Sequence, residues 1–285
     1  MPDLIKKVVI TAAGLGTRIL PMSKELPKEM MPLFLKGRNG LVLKPALQAI
    51  FEQLYSFGFR DFCFVVGRGK RAIVDHFTPD WRYVDLLIEA CKTAPANNLK
   101  SFYEMVENSK IIWINQPQPK GFGHAVSMAE AFVNKEPFLV AAGDTFIVSN
   151  NFLVRMVNAY STRRPSAVLL LMKIHDPRDF GVAVIDKERV IRVVEKPSVP
   201  PSNLAIMPFY IFDPTIFKIL PEVKPGFSGE IQLTDAIQKL VEKKVVYFVL
   251  LNDGDLRLDI GTPETYWDAI KSSYEWSRGG QNATR

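Results

Sequence analysis

The first residues able to do chemistry stand where an apolar run, residues 8–12, opens into Ala12-Ala13-Gly14-Leu15-Gly16-Thr17-Arg18, with Pro21, Pro27-Lys28-Glu29 and Pro32 behind it. A glycine-rich turn after a strand lets backbone N–H groups close on phosphate oxygens, because glycine has no Cβ in the way and tolerates positive φ. Arg18, two residues past the second glycine, offers a planar fork for two phosphate oxygens, and Lys28, ten residues later on a proline-braced segment, offers a point charge. The same residues taken alone would make a tight turn with two surface cations. Two common phosphate loops are excluded. The dinucleotide fingerprint needs a third glycine where Ile19 stands, a helix where Pro21 stands and an acidic residue where Gly67-Arg68-Gly69 follows the second strand. The Walker A loop needs four residues between its glycines and a Gly-Lys-Ser/Thr ending, and has neither here. Two carboxylates complete the inventory. Asp144 follows the apolar run 138–142, and Asp259 ends another before Gly261-Thr262. In an α/β fold both would reach the carboxyl end of the sheet, where ligands bind, and their hard oxygens suit Mg²⁺.

These residues need a scaffold. The chain has 285 residues, 47% hydrophobic and 23% charged, with a mean hydropathy of +0.04, which excludes disorder and collagen-like structure. Apolar runs at 8–12, 62–67, 111–115, 138–142, 167–173, 181–186, 190–195 and 245–250 alternate with amphipathic segments at 45–57, 123–133, 150–160, 230–243 and 263–276. That alternation predicts an α/β, Rossmann-like three-layer fold with a mixed, mostly parallel central sheet. We read one domain over 1–278, with a surface insertion near 78–110 where the pattern weakens around 94–98, and a disordered tail at 279–285. The glycosylation triplet Asn282-Ala283-Thr284 in that tail is read as coincidence. No run reaches the roughly 18 apolar residues of a membrane span, and Met1-Pro2-Asp3-Leu4-Ile5-Lys6-Lys7 lacks signal-peptide structure. A cytoplasmic protein without a membrane partner is expected.

The net charge of +6 and pI near 9.2 suit an anionic partner. The one compact basic cluster, Arg68-Gly69-Lys70-Arg71, has no interleaved aromatics, which argues for a solvated face or a small-anion site and against nucleic acid. Cys63 and Cys91 make neither a disulfide framework nor a zinc site, and core filling is their expected role. The histidines His76, His124 and His175 are scattered.

Seven blocks together resemble the sugar-1-phosphate nucleotidyltransferases, and within them the uridylyl branch, from about Lys7 to Ala269. They are the glycine loop 12–18, Pro27-Lys28-Glu29-Met30, residues 66–73 around Arg68 and Lys70, Lys120-Gly121-Phe122-Gly123-His124-Ala125, Val194-Glu195-Lys196-Pro197, the run 229–237 from Gly229-Glu230, and Asp259-Ile260-Gly261-Thr262-Pro263. The resemblance implies the reaction of UTP with α-D-glucose 1-phosphate to give UDP-glucose and pyrophosphate, with Mg²⁺ as cofactor and a homo-oligomeric enzyme. It implies that Arg18, Lys28 and Lys196 work on phosphates, and that Ala12, Ala13, Gly14, Gly16, Thr17, Gln116 and Gly121 hold the nucleotide. Gln116, five residues before Gly121, matches the uracil-reading glutamine; an amide can pair with N3–H and a carbonyl of uracil. Gly181, Glu195 and Glu230 fall on the sugar side, Gly181 as a place where a side chain would meet the hexose. Asp144 and Asp259 fall on the metal. His124, the one histidine within these blocks, is given a positioning role at most. The bland alternatives are a loop-capping Gln116, a strand-end ion pair for Glu195-Lys196, a helix-dipole role for Glu230 at the start of a helix, and a plain structural role for His124.

Two departures bear on specificity and assembly. After Asn203-Leu204-Ala205 the chain reads Ile206-Met207-Pro208-Phe209-Tyr210 where the family has Gly-Arg-Tyr, which opens the question of sugar selectivity. Residues 36–43 are inserted before the first helix, so family subunit contacts are not carried over. The rival readings are a thymidylyl or relaxed-specificity transferase, since thymine shares the edge Gln116 would read, and a non-catalytic sugar-nucleotide-binding subunit.

Overall fold

The computed structural model describes residues 4–37, 40–226 and 229–279. The chain runs through β1 (Lys7–Ala12), a hairpin of β2 (Pro32–Gly37) and β3 (Gly40–Pro45), α1 (Ala46–Phe57), β4 (Asp61–Gly67), α2 (Arg71–His76), α3 (Trp81–Glu89) and α4 (Thr93–Glu107). Then come β5 (Lys110–Gln116), α5 (Phe122–Ser127), α6 (Glu130–Val133), β6 (Phe138–Ala142), β7 (Thr145–Val148), α7 (Phe152–Arg163), β8 (Ala167–Lys173), β9 (Gly181–Asp186) and β10 (Arg189–Glu195). β11 (Leu204–Phe212), α8 (Ile216–Ile219), α9 (Leu233–Lys243), β12 (Val246–Leu250), β13 (Leu256–Asp259) and α10 (Pro263–Arg278) complete it.

Nine strands form one sheet in the order β5-β4-β1-β6-β11-β8-β12-β10-β9. The pairs β5–β4, β4–β1, β1–β6 and β8–β12 are parallel, and the joins at β11, β10 and β9 are antiparallel. The sheet is therefore mixed, its parallel part concentrated in the N-terminal half. Strand side chains alternate between faces, so Val8, Ile10 and Ala12 of β1 enter one core while Val9 enters the other, and Phe62, Phe64 and Val66 of β4 part from Cys63 and Val65. Being apolar on both faces, the sheet must be covered on both. α1, α4, α7 and α10 cover one side through residues such as Phe51, Phe102, Phe152 and Ala269, and α5, α8 and α9 cover the other through Val126, Ile216 and Ile237.

Where the expected elements differ, local bonding explains it. The segment 123–133 is two helices, because Ser127 Oγ donates back to His124 O at 2.8 Å and Ala129 N–H takes the tighter bond to Val126 O at 3.1 Å. The weak pattern near 94–98 is the first turn of α4; Pro95 is accommodated there because the first-turn N–H groups have no partner within the helix. Cys63 is core, as expected, but Cys91 is exposed at φ +58 beyond α3. α9 starts at Leu233, with Gln232 as its cap, so Glu230 lies in the preceding loop and has no helix-dipole role. Gly279 ends α10, and the rest of the tail, 280–285 with its glycosylation triplet, lies outside the described residues. No described helix is long and apolar enough to cross a membrane.

Candidate active site

Parallel strands deliver their carboxyl ends to one edge, and there β1, β5 and β6 open a cleft of ≈ 400 Å³. Ala13, Gly14, Gly16, Thr17, Arg18, Lys28, Gln116, Gly121, Asp144 and Glu230 line it, with Ala12 buried just behind as the last residue of β1. The glycine loop is braced rather than loose. Gly16 has φ +68, a conformation that favours glycine, and Ser23 Oγ donates to its carbonyl at 2.7 Å; a Cβ on Gly16 would sit 3.0 Å from Ser23 Cβ. Arg18, beyond that turn, is exposed on the cleft wall.

Lys28 crosses the cleft floor to an ion pair with Asp144. The short antiparallel pairing of β13 with β7 places Asp259 opposite Thr145, beside Asp144. Thr145 Oγ1 lies 3.1 Å from Asp259 Oδ1 and 3.4 Å from Asp144 Oδ1, and Ile260 N–H donates to Asp144 O at 3.0 Å. Arg257 holds the other oxygen of Asp259 at 2.6 Å. Burial pushes the Asp144 carboxyl up, but the Lys28 ammonium, with Arg257 behind it, outweighs that and holds it below the usual carboxylate range. Burial likewise pushes Lys28 down, and Asp144, Glu29 and Asp259 outweigh it and hold the ammonium above its ordinary value. Among the described residues no group of three or more His, Cys, Asp or Glu side chains is placed to hold a metal ion by itself. Two adjacent carboxylates nevertheless fit Mg²⁺, which is usually held by one or two carboxylates with substrate phosphates and waters filling the remaining positions.

Gln116, the last residue of β5 and 4% exposed, places its Nε2 2.8 Å from His124 Nδ1 and 3.3 Å from Gly121 O. Gly121 has φ +97, and a Cβ there would come within 2.8 Å of Glu230 Cβ and of Ile231 O. The loop therefore packs against the 229–231 segment, which bonds to it through Ile231 N–H to Lys120 O and Gly123 N–H to Ile231 O, both 2.9 Å.

Gly181, Glu195, Lys196 and Asp259 lie outside the cleft wall proper. Gly181 and Glu195 face each other across β9 and β10. A Cβ on Gly181 would meet Thr234 Oγ1 at 2.8 Å and Glu195 Oε2 at 3.3 Å, so the chain's own side chains already require glycine there. Burial raises the Glu195 carboxyl, against the Thr234 hydrogen bond and Lys196, and the charge of Glu230 on the cleft wall adds to the rise. Lys196 is exposed, at φ +39, with its N–H on Phe180 O at 2.9 Å. Pro208 lines the cleft from β11 at the point where the pairing with β8 shifts register, between Met207 and Tyr210.

A nucleotidyl transferase family profile matches residues 7–275, nearly the whole chain. The chain belongs to the nucleotidyl transferase family. Among relatives of this nucleotidyl transferase, a UTP–glucose-1-phosphate uridylyltransferase of Bacillus subtilis is 37% identical over 252 residues, 85% of this chain and 82% of its own. UTP–glucose-1-phosphate uridylyltransferase 2 of Staphylococcus saprophyticus is 38% identical over 267 residues, 90% of this chain and 88% of its own. A crystal structure of UDP-glucose pyrophosphorylase complexed with UDP-glucose superposes with a TM-score of 0.80 at 30% identity, covering 96% of this chain and all of that one.

Sequence reasoning missed several residues of this nucleotidyl transferase's cleft. Glu29, 2% exposed, lines the cleft and pairs at 2.7 Å with Lys70, itself 8% exposed, so the basic cluster 68–71 is not one solvated face: Lys70 turns inward while Arg68 and Arg71 stay out. The signal was present in Pro27-Lys28-Glu29, but the 41-residue separation of the partners gives no local pattern. Thr145 and Arg257 join the carboxylates only through the β7–β13 pairing, which two four-residue strands do not announce. His124, for which the sequence allows a positioning role at most beside a plain structural one, contacts the side chain proposed to read the base.

Proposed function

We propose that the chain transfers a uridylyl group from UTP to α-D-glucose 1-phosphate, giving UDP-glucose and pyrophosphate. The observation that carries the reading is the convergence of the braced glycine loop, Lys28 with Asp144, and Gln116 on one cleft, in a chain whose relatives are named for this reaction. A sugar phosphate has its second pKa near 6, so its attacking oxygen is already largely anionic at neutral pH and no general base is required. That oxygen attacks the α-phosphorus in line, the bond from the α-phosphorus to the bridging oxygen breaks, and pyrophosphate leaves with the electron pair. The task is to bring two anions together and spread the charge. Arg18 and Lys28 bind the triphosphate, with backbone N–H groups of residues 13–17 around it. Gln116 orients the base, Glu195 and Glu230 accept from glucose hydroxyls, and Lys196 balances the sugar phosphate. Asp144 and Asp259 would hold Mg²⁺, which when bound neutralises charge on the phosphates.

We propose a cytoplasmic location for the protein. It is proposed to act as a homo-oligomer, a reading supported by Leu41 and Leu43, which stand 40% and 60% exposed on β3. Coupled pyrophosphate release across a panel of nucleoside triphosphates and sugar 1-phosphates tests the reaction. UTP with glucose 1-phosphate is expected to give the highest kcat/KM. A higher value with dTTP would make the chain a thymidylyltransferase, and no release with any pair would make it a binding subunit.

A further inference from the structure

Gln116 is held by two contacts whose chemistry fixes which end of its amide is free to read a base. Gly121 O, 3.3 Å from Gln116 Nε2, can only accept, so the atom facing it is the amide nitrogen and the carbonyl oxygen lies at the other end. The second amide N–H points to His124 Nδ1 at 2.8 Å. A nitrogen that receives a hydrogen bond carries a lone pair, so the imidazole is neutral with its proton on Nε2. Burial, reinforced by the Lys120 ammonium, holds His124 below its ordinary pKa and favours that neutral form. His124 itself is not on the cleft wall, whereas Gln116 is.

We propose that His124 is a positioning residue for base selection: its unprotonated Nδ1, with Gly121 O, occupies both N–H groups of Gln116 and leaves the carbonyl end to meet the base. An amide pinned this way offers an acceptor only. Uracil and thymine present an N3–H donor and are accepted; cytosine presents a lone pair at N3 and is opposed by a second lone pair. This rests on the uridylyl-transfer reading for its substrate, but it is a statement about nucleotide discrimination that binding alone can read. Without His124 one of the two restraints is lost, the amide can turn its N–H groups to the cleft, and discrimination against cytosine should fall.

The test compares His124→Leu, which removes the acceptor, with His124→Asn, whose Oδ1 can stand where Nδ1 stood. Calorimetric binding of UTP, dTTP and CTP is measured for both variants and the native protein, with thermal melts to confirm folding and kcat and KM wherever turnover is found. The native protein is expected to prefer UTP and dTTP over CTP. His124→Leu is expected to lose about tenfold of the UTP-to-CTP ratio, through KM far more than kcat, and His124→Asn to recover most of it. Equal loss of UTP and CTP binding in His124→Leu, absence of rescue in a folded His124→Asn, or no preference in the native protein would each overturn the proposal. If the native protein selects UTP in binding and His124→Leu loses that selectivity, yet no sugar phosphate is turned over, the proposed reaction fails and the positioning role stands.

Discussion

Lys28 is a tightly held charge in the cleft. Its ammonium is nearly enclosed, it pairs with Asp144, and Glu29 and Asp259 add to the field that keeps it protonated. A cation so fixed costs little reorganisation when negative charge gathers on phosphates beside it, which is the condition under which electrostatic stabilisation is largest. Arg18 is the complementary case, a planar fork exposed on the cleft wall. We expect Lys28→Met and Arg18→Ala each to lower kcat by about 10² or more. Steady-state pyrophosphate release checks this, and near-normal turnover in both variants would remove the glycine loop from the chemistry. Lys28→Met should also lower the melting temperature, since it leaves the Asp144 carboxylate buried without its cation, whereas Arg18→Ala should not. For Gln116→Leu the expected signature is different: a raised KM for UTP with a smaller change in kcat, because base contacts are shared by ground and transition states. A fall in kcat with KM unchanged would place Gln116 elsewhere in the mechanism.

The carboxylates depend on an element, the two-stranded β7–β13 pairing, which sets Asp259 against Thr145 across 114 residues of chain. If this pairing builds the cation site, Asp144→Asn and Asp259→Asn should both raise the Mg²⁺ concentration needed for half-maximal activity by about tenfold or more, Asp144→Asn the more severely. Titration of activity against Mg²⁺ reads this directly, and full activity of Asp144→Asn at limiting Mg²⁺, or of the native protein in excess EDTA, would count against the site. A second device joins the proline-braced segment to the loop after β4: the buried pair of Glu29 and Lys70. Removing one partner of such a pair leaves a buried charge uncompensated, so Glu29→Gln should cost about 3–5 kcal/mol in urea unfolding, and adding Lys70→Met should recover most of it. Loss of less than about 1 kcal/mol in the single variant would mean that water reaches Lys70. What the sequence made legible follows from range. The apolar runs that form β1, β4, β5, β6, β8, β9, β10 and β12 and the turn of the glycine loop are local signals, and the structure has strands and turn at those places. The β7–β13 pairing, the Glu29–Lys70 pair and the contact of Thr234 with Gly181 are made by residues far apart in the chain, and no local periodicity encodes them. Glu230 lies in a loop and not at the helix start for a related reason: the segment that carries it is ordered by Lys120 and Gly123, not by its own propensity.

At the scale of the molecule, the face of the sheet covered by α1, α2 and α4 holds a half-buried titratable group packed against an aromatic core. His76 stacks on Phe102 at 5.0 Å and meets Phe77 edge-on at 5.7 Å. Its only polar contact among those described is Gln48 Oε1, 2.9 Å from Nε2, and the Gln48 amide is oriented in turn by its donation to Glu52 at 2.7 Å. Nε2 therefore carries the proton, and protonating Nδ1 would place a charge among phenyl rings; burial accordingly lowers the His76 pKa to about 4. The unfolded chain, near the ordinary value of about 6.5, binds a proton that the folded chain refuses until much lower pH. The contribution of His76 to stability is thus fully present above about pH 6.5 and is lost progressively as the pH falls toward 4. Because carboxylates also titrate in that interval, the comparison must be with a protein that lacks only this group. His76→Gln supplies it, since its Nε2 can donate to Gln48 as the imidazole does and it cannot be charged. In urea unfolding at pH 7 and pH 4.5, the native protein should lose roughly 2–3 kcal/mol more than His76→Gln does. A parallel loss in the two proteins would mean that His76 is already protonated in the fold, and that the aromatic core admits enough water to carry its charge.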